Sequence, residues 1–242
     1  MLWLVGYTNS FLEKVPTKRS HIKEALDNLE LEGKQLEETL GGLSKINGWF
    51  GNTSQTVNAV HEQSRKHEIK TIVDLGCGGG DNLIAIAKWC QSKNQKIKLI
   101  GIDGNQNSLD YAGSRSDFNI EFIQADILSP NFELPQCDLL ISSHFVYHFQ
   151  DDEFVNFMKR AQTKVKKAIV LSELRRSSLA SVLFYPLGLF FHKMVRSDGL
   201  KAIRRSFTKQ ELSDLLSQSG FTNYSVKNKF IFRLLAVIKI NE

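Results

Sequence analysis

Acidic residues and glycines stand where apolar runs of the sequence end. Asp74 lies in the run Thr71–Leu75, and Gly76, Gly78 and Gly80 follow that run directly. Glycine allows a sharp turn and lets a ligand approach the backbone closely. The free amides at the start of a following helix suit a carboxylate or a phosphate. The spacing predicts a binding loop between a strand and a helix, with a plain tight turn as the alternative.

Two more acids repeat this placement. Asp103 ends the run 98–103, and Asp126 follows the run 120–125. Because parallel strands point their carboxyl ends to the same edge of a sheet, we expect the three acids on one rim. There Asp103 can accept hydrogen bonds from both hydroxyls of a ribose, and Asp126 or the amide of Ile127 can contact an adenine edge. The pattern favours a nucleoside-containing cofactor over three unrelated surface carboxylates.

Two histidines four residues apart follow the next predicted strand, 138–142. On a helical turn His144 and His148 would share a face, and either could take the proton of a hydroxyl as a general base. The alternative is one structural histidine and one that contacts the cofactor. No metal site is expected, because no third ligand lies at a useful spacing. The three cysteines are widely spaced, so neither a disulfide framework nor cysteine catalysis is expected.

A basic and aromatic segment follows the predicted strand 168–172. Glu173 and Arg175 stand at the same rim, where they either contact a substrate or begin a salt-bridged surface helix. Residues 177–195 are rich in Leu and Phe. This stretch could roof the cleft as an apolar pocket, form a homodimer surface, or lie on a membrane against lipid head groups. The predicted acceptor-binding residues are His144, Tyr147, Glu173, Arg175, Phe184 and Phe191.

The charge of the chain is concentrated in that segment. Lys plus Arg number 31 and Asp plus Glu number 26, which gives a net charge of +5. Residues 175–205 hold seven basic residues and one acid, so the other 211 residues carry −1. This distribution disfavours a general nucleic-acid binder. The longest apolar stretch, 179–191, is too short to span a bilayer, and residues 1–15 lack a signal-peptide pattern. We therefore expect a cytoplasmic protein.

The elements that must position these residues follow from periodicity. The region from His21 to about Lys66 is predicted as short helices, broken by Gly33, by Gly41 and Gly42, and by Gly48. Strand and helix patterns then alternate from Thr71 to Ser172, which predicts a doubly wound α/β sheet. The runs 224–227 and 230–240 predict an antiparallel hairpin with its turn near Asn228. The predicted domains are an N-terminal helical cap, 1–68, and a catalytic domain, 69–242, in which 175–206 is a substrate lid or interface.

Residues 71–172 resemble class I S-adenosylmethionine-dependent methyltransferases. The first motif of that family is matched by Val73–Gly80, its ribose acid by Asp103, and its adenine-side motif by Ala125–Ile127. The resemblance implies a Rossmann-like seven-stranded sheet of order 3-2-1-4-5-7-6 with an antiparallel last strand. It also implies S-adenosylmethionine as the cofactor. The implied cofactor-binding residues are Asp74, Gly76, Cys77, Gly78, Gly80, Asp103, Gly104, Asp126, Ile127, Ser142 and Ser143.

Most of residues 20–240 is similar to bacterial methyltransferases of polyketide and aryl-lipid pathways, which are related to the ubiquinone and menaquinone methyltransferases. This similarity rests on Leu43–Asn47, Leu174–Ser177 and residues 195–208. It implies O-methylation of an apolar phenolic or quinone-like small molecule. Tyr147 stands where a second adjacent histidine is common. The alternatives are C-methylation of a quinone precursor, an RNA methyltransferase or RNA-binding module, and a non-catalytic cofactor-binding subunit.

Overall fold

The computed structural model describes residues 18–240. The sequence 1–15, which lacks a signal-peptide pattern, lies outside the described residues, as does the first part of the predicted cap, 1–68. Over residues 18–240 no helix combines the length and the apolar character needed to cross a membrane.

One mixed sheet of seven strands forms the centre of the fold. Its order is β3-β2-β1-β4-β5-β7-β6, with β1 to β5 parallel and β7 antiparallel to both of its neighbours. The predicted fold class and strand order are confirmed. The strands are β1 (Thr71–Leu75), β2 (Lys98–Asp103), β3 (Ile120–Gln124), β4 (Cys137–Ser143), β5 (Val165–Leu174), β6 (Tyr224–Lys229) and β7 (Arg233–Lys239).

Helices cover both faces of the sheet, as a parallel sheet requires. The central strands β1 and β4 are buried along nearly their whole length, which explains their continuous apolar runs. The helices are α1 (Gly33–Trp49), α2 (Asn52–Ser64), α3 (Asp81–Ser92), α4 (Gln106–Ser114), α5 (Asp151–Lys164), α6 (Ser178–Gly188), α7 (Lys193–Arg205) and α8 (Lys209–Gln218).

The N-terminal region differs from the prediction of several short helices. Helix α1 begins at Gly33 and runs without a break through Gly41, Gly42 and Gly48. Tertiary packing outweighs the weak helix propensity of glycine here. A Cβ on Gly42 would lie 2.9 Å from a methyl of Val195, so the missing side chain lets α1 and α7 approach closely.

The terminal hairpin is confirmed, but the prediction of its turn near Asn228 is wrong. Asn228 pairs with Leu234 inside the ladder, and β6 continues to Lys229. The turn is made by residues 230–232, where Ile231 and Phe232 have φ of 56° and 52°. Two non-glycine residues in the left-handed region form this turn, so it lacks the Asn or Gly signature that marks most tight hairpins.

Residues 18–32 form a mostly non-helical strap along the carboxyl-terminal rim of the sheet. It contains a single 3-10 turn, Ala25–Asp27. Side chains hold it in place, because a segment without regular structure has few backbone hydrogen bonds of its own. Arg19 donates to the carbonyls of Tyr147, Phe149 and Arg205, at 2.6, 2.9 and 3.0 Å. The strap is thereby fixed to the segment that follows β4 and to the end of α7.

The packing of β2 against the glycine-rich loop generates a stability prediction. Gly101→Ala places a Cβ 2.8 Å from Cδ1 of Leu83 and 2.9 Å from Sγ of Cys77. Such overpacking should lower the free energy of unfolding by about 1–3 kcal/mol, measured by urea denaturation. Gly113→Ala on α4, with nothing within 4 Å, is the control and should stabilise by about 0.4–1 kcal/mol. Equal effects of the two substitutions would contradict this packing.

Candidate functional site

A cavity of about 1120 Å³ opens at the rim where the parallel strands end. Its walls come from the strap, the glycine-rich loop, α1, the segment after β4, helices α6 and α7, and the β6–β7 turn. The end of a doubly wound sheet is where such folds bind their ligands. The volume exceeds that of a typical single-ligand pocket, so there is room for two ligands side by side.

The loop after β1 lines one side of this cavity through Gly76, Cys77 and Gly78. Gly76, Gly78 and Gly80 have φ of 65°, 49° and 75°, a region that side chains disfavour. A Cβ on Gly76 would lie 2.2 Å from the ring of Phe145. The predicted turn is therefore present, and its glycines are required both by backbone conformation and by close contact.

Asp103 ties this loop to the end of β2. Its Oδ2 accepts a hydrogen bond from the amide of Gly78 at 2.9 Å, and its Oδ1 accepts one from the amide of Asn105 at 3.0 Å. The carboxylate lines the cavity, and burial raises its pKa. Asp103 thus fixes the glycine-rich loop and presents a carboxylate to the cavity.

Asp74 lies beneath the loop and does not line the cavity. Its side chain is 1% exposed, and neither carboxylate oxygen has a hydrogen-bond partner among residues 18–240. Burial and the neighbouring Asp103 hold the pKa of Asp74 well above its usual range. Two orphaned acceptors under a glycine loop indicate that the site is completed by a ligand or by a proton on this carboxyl.

The remaining predicted cofactor residues surround the cavity unequally. Ser143 lines it and accepts a hydrogen bond from Asn52 at 2.7 Å, whereas buried Ser142 donates to the carbonyl of Leu75 inside the sheet. Ser108 of α4 and Leu128, which follows β3, also line the cavity. The predicted residues Gly80, Gly104, Asp126 and Ile127 are not part of the lining, and Asp126 is exposed to solvent.

His148 and the strap residue Asp27 form a hydrogen-bonded pair. The distance from Nδ1 of His148 to Oδ1 of Asp27 is 2.6 Å, and both side chains line the cavity. Burial lowers the pKa of His148, and Asp27 counteracts that shift. Burial acts to raise the pKa of Asp27, but the hydrogen bond with His148 and the charge of Arg205 hold it below its usual range. An ionised Asp27 thus orients a neutral His148 and leaves its Nε2 as the proton acceptor.

His144 has a different environment, so the two histidines are not equivalent. It is half-buried in the cavity wall, has φ of 53°, and its Nε2 lies 3.2 Å from a guanidinium nitrogen of Arg233. Burial and that cation hold the pKa of His144 well below its usual range. The ring is therefore neutral at neutral pH, and its Nε2 accepts a hydrogen bond from Arg233.

Tyr147 and Glu173 serve to hold the segment after β4. Tyr147 is 4% exposed and donates to Oε2 of the strap residue Glu24 at 3.2 Å. Glu173 is fully buried, accepts from the amides of Phe145 and Val146 at 3.3 Å, and does not line the cavity. Glu173 therefore does not face the cavity as predicted, because its side chain points into the protein. Its carboxyl instead holds the backbone of the segment after β4.

The insertion after β5 contributes part of the cavity wall. Phe184 and Arg175 line the cavity, and Arg175 lies over the ring of Phe232 at 5.6 Å. Phe191 instead packs on Trp49 at 5.7 Å, outside the lining. The outer face of α6 and the residues after it are apolar and exposed. The exposed apolar side chains are Leu179, Val182, Leu183, Leu189 and Phe190.

Two of the seven basic residues counted in this segment are structural. Arg176 is 6% exposed and pairs with Glu211. Arg205 is 5% exposed and pairs with Glu24 at 3.1 Å and with Asp27 at 2.7 Å. The seven basic residues therefore do not form one exposed cationic surface, because Arg176 and Arg205 are paired inside the protein.

Three cavity residues escaped sequence reasoning: Glu24, Asp27 and Arg233. The first two lie in a segment interpreted as a generic helix, and Arg233 lies in a strand interpreted as a sheet edge. An acid in a segment whose regular structure is a single short turn is a weak signal. Arg233 carried a clearer one, since a charged residue that opens an otherwise apolar strand needs a partner.

Comparison with known proteins agrees with this geometry. Residues 72–168 match the family model described as "Methyltransferase domain". Myricetin 3'-O-methyltransferase 4 of Solanum lycopersicum is 28% identical over 200 residues, covering 76% of this chain and 50% of that protein. Myricetin 3-O-methyltransferase 3 of Solanum habrochaites is 27% identical, and the match covers 85% of this chain and 58% of that protein. The chain spans about half the length of these curated relatives.

Solved structures share the fold. The plantazolicin methyltransferase BpumL, in complex with S-adenosylhomocysteine and a substrate analogue, superposes with a TM-score of 0.63 at 15% identity, covering 86% of this chain and 98% of that one. Human N-acetylserotonin methyltransferase in complex with S-adenosylmethionine superposes with a TM-score of 0.61 at 19% identity. The match covers 88% of this chain and 57% of that one.

Sheet order, glycine loop and acidic rim define the class I methyltransferase architecture, and that prediction is confirmed. Residues 72–168 match the methyltransferase-domain model, and outside them the described residues include the strap, the helices α1 and α2, the α6–α7 insertion, α8 and the terminal hairpin. The finer relationship to ubiquinone and menaquinone methyltransferases stays a prediction.

Buried Glu173 generates a prediction about pH. Burial raises its pKa from 4.5 to about 8, so folding favours the protonated acid. The stabilisation that protonated Glu173 contributes to folding is fully present below pH 4.5. It is lost as the pH rises through about 8. Above pH 6.5 the histidines are already neutral when unfolded. The free energy of unfolding should therefore fall between pH 6.5 and 8.

Glu173→Gln mimics the protonated acid, so the free energy of unfolding of this variant should decrease less steeply with pH. Urea denaturation at several pH values measures this slope. Glu24, whose pKa burial also raises to about 8, keeps part of the slope. Glu62→Gln on the exposed side of α2 is the control and should leave the slope unchanged. A slope identical in wild type and Glu173→Gln would show that Glu173 is ionised when folded.

Proposed function

We propose that this protein transfers the methyl group of S-adenosylmethionine to the oxygen of an apolar phenolic small molecule. The observation that carries the proposal is the pairing, in one cavity, of a nucleoside-type rim with a histidine whose Nδ1 is held by a carboxylate. The rim is the glycine loop with Asp103, and the oriented base is His148 with Asp27. Relatives named as O-methyltransferases of the flavonol myricetin support the acceptor class.

The residues present fit S-adenosylmethionine. The loop residues Gly76, Cys77 and Gly78 line the cavity, and the amino-acid moiety would lie against them. Asp103 would accept the ribose hydroxyls, and Ser108 and Leu128 line the side on which the adenine is expected. When bound, the cofactor supplies an electrophilic methyl group on a sulfonium. The predicted roles of Asp126 and of the Ile127 amide stay predictions.

His148 would act on the acceptor hydroxyl. Its neutral ring has Nδ1 bound to Asp27, so Nε2 can take the hydroxyl proton as the oxygen attacks the methyl carbon. Asp27 would then stabilise the resulting imidazolium. Because the methyl group is already activated, alignment of the oxygen in a closed cavity supplies much of the acceleration.

The acceptor side of the cavity is apolar. Leu43, Ile46, Phe50, Leu183 and Phe184 contribute to its lining. Such walls suit a phenolic ring with alkyl or aryl substituents and give no stacking groove for a polynucleotide. C-methylation of a quinone precursor is the second candidate, since it needs the same cavity and less help from a base. Membrane contact through residues 177–195, a homodimer and a cytoplasmic location stay predictions, as do the domain limits 1–68 and 69–242.

Calorimetric titration with S-adenosylhomocysteine tests the cofactor site. Wild type should bind it at sub-millimolar concentration. Asp103→Ala should weaken binding by about 1–3 kcal/mol, because hydrogen bonds to a charged group are lost. Asp110→Ala, on the exposed face of α4, is the matched control and should bind like wild type. Absence of binding to wild type would refute the proposal.

The base is tested by the pH dependence of methyl transfer. His148→Gln should lower kcat by about 10²-fold or more. In Asp27→Asn the pKa of His148 loses the contribution that raises it, so the acidic limb of the rate profile should move to lower pH while kcat falls. His61→Gln on α2, which packs on Trp89, is the control. A rate and pH profile unchanged in both cavity variants would remove His148 from the mechanism.

A further inference from the structure

Arg233 is a buried cation in the wall of the cavity. It is the first residue of β7, pairs across the sheet with Leu174 at the end of β5, and is 2% exposed. It also belongs to the cavity lining. The guanidinium thus stands in the cavity wall beside the apolar turn residues 230–232 and is more deeply buried than the neighbouring cations Arg175 and Lys229.

This guanidinium has no acidic partner among residues 18–240. Its side-chain hydrogen bond goes to Nε2 of His144 at 3.2 Å, and its own Nε has no partner. Burial lowers its pKa to about 10, with no carboxylate counteracting the shift. The residue is still charged at neutral pH. By contrast, the buried guanidiniums of Arg19 and Arg205 each contact a carboxylate.

An unpaired buried charge is costly, because the desolvation of an ion is not offset without a counter-ion. Proteins keep such a group where a ligand supplies the opposite charge. His144 supports this interpretation. A non-glycine residue at φ of 53° is uncommon and is found preferentially at functional sites. Its neutral ring accepts from Arg233 and so holds the guanidinium without neutralising it.

The position of Arg233 assigns it to the acceptor rather than to the cofactor. Strands β4 and β5 separate β7 from β1, so about 14 Å of sheet lies between Arg233 and the glycine loop at backbone level. The cavity residues nearest in sequence are Ile231 and Phe232 of the apolar turn. On the cofactor side, Asp103 and the loop amides already form a separate polar set.

We propose that Arg233 binds an anionic oxygen of the acceptor, either a carboxylate substituent or an ionised hydroxyl other than the one that is methylated. This inference rests on the proposed function and narrows it to acidic aromatic acceptors with an apolar body. The guanidinium would fix the orientation of the ring in the apolar pocket, and the hydroxyl to be methylated would be presented to the cofactor side.

Calorimetry with non-reacting probes tests the inference on protein saturated with S-adenosylhomocysteine. The carboxylate probe is para-butylbenzoate, with para-butylbenzyl alcohol as its neutral match. The phenolate probe is para-nitrophenol in a buffer above its pKa, with para-nitroanisole as its neutral match. At least one anion should bind tenfold or more tightly than its neutral match, and which anion does so identifies the source of the charge. Equal binding within both pairs would overturn the proposal.

Variants locate the effect. Arg233→Met should abolish the preference for the anion and leave the neutral probes bound, whereas Arg233→Lys should retain part of the preference. A tenfold loss of S-adenosylhomocysteine affinity in Arg233→Met would assign the guanidinium to the cofactor carboxylate and overturn the proposal. If wild type binds no S-adenosylhomocysteine, the proposed function fails on its own. The probe pairs, titrated into the free wild-type protein, then still decide whether an anion site exists.

Discussion

The site depends on one buried guanidinium, that of Arg205, which holds Glu24 and Asp27 of the strap against α7. The strap has almost no regular structure, so its position along the rim depends on this contact together with the hydrogen bonds of Arg19. Removing one partner of a buried ion pair typically costs about 3–5 kcal/mol. Asp27 also orients His148. One cation therefore fixes a wall of the cavity and, through Asp27, the tautomer of the candidate base.

The sequence was sufficient to predict the sheet and the rim, because parallel strands produce long apolar runs and place their ends together. The limits of β1 and β2 agree with the predicted runs 71–75 and 98–103. The glycine spacing after β1 predicted the loop, since the loop requires positive φ angles that few other residues adopt. The hairpin was predicted as well, but its turn was not, because Ile231 and Phe232 give no local turn signal.

The acceptor half of the cavity could not be predicted in the same way. Asp27, Glu24 and Arg233 become neighbours of the rim through long-range contacts, such as Glu24 with Arg205 over 181 positions and Arg233 with His144 over 89. Local patterns contain no trace of those contacts. The two histidines illustrate the limit: their spacing suggested equivalent candidates, whereas burial beside Arg233 or beside Asp27 gives them opposite surroundings. The net charge of +5 likewise gives no sign that several arginines are buried and stabilise the fold.

The most direct measurement of the central claim is a single-turnover reaction with S-adenosylmethionine labelled with ¹³C in its methyl group. The acceptors are alkylated phenols with and without a ring carboxylate, and the products are analysed by NMR. The account predicts a labelled methoxy group, formed faster on acceptors that carry the carboxylate or an ionised hydroxyl. Label on a ring carbon, or no transfer by protein that binds S-adenosylhomocysteine, would contradict it.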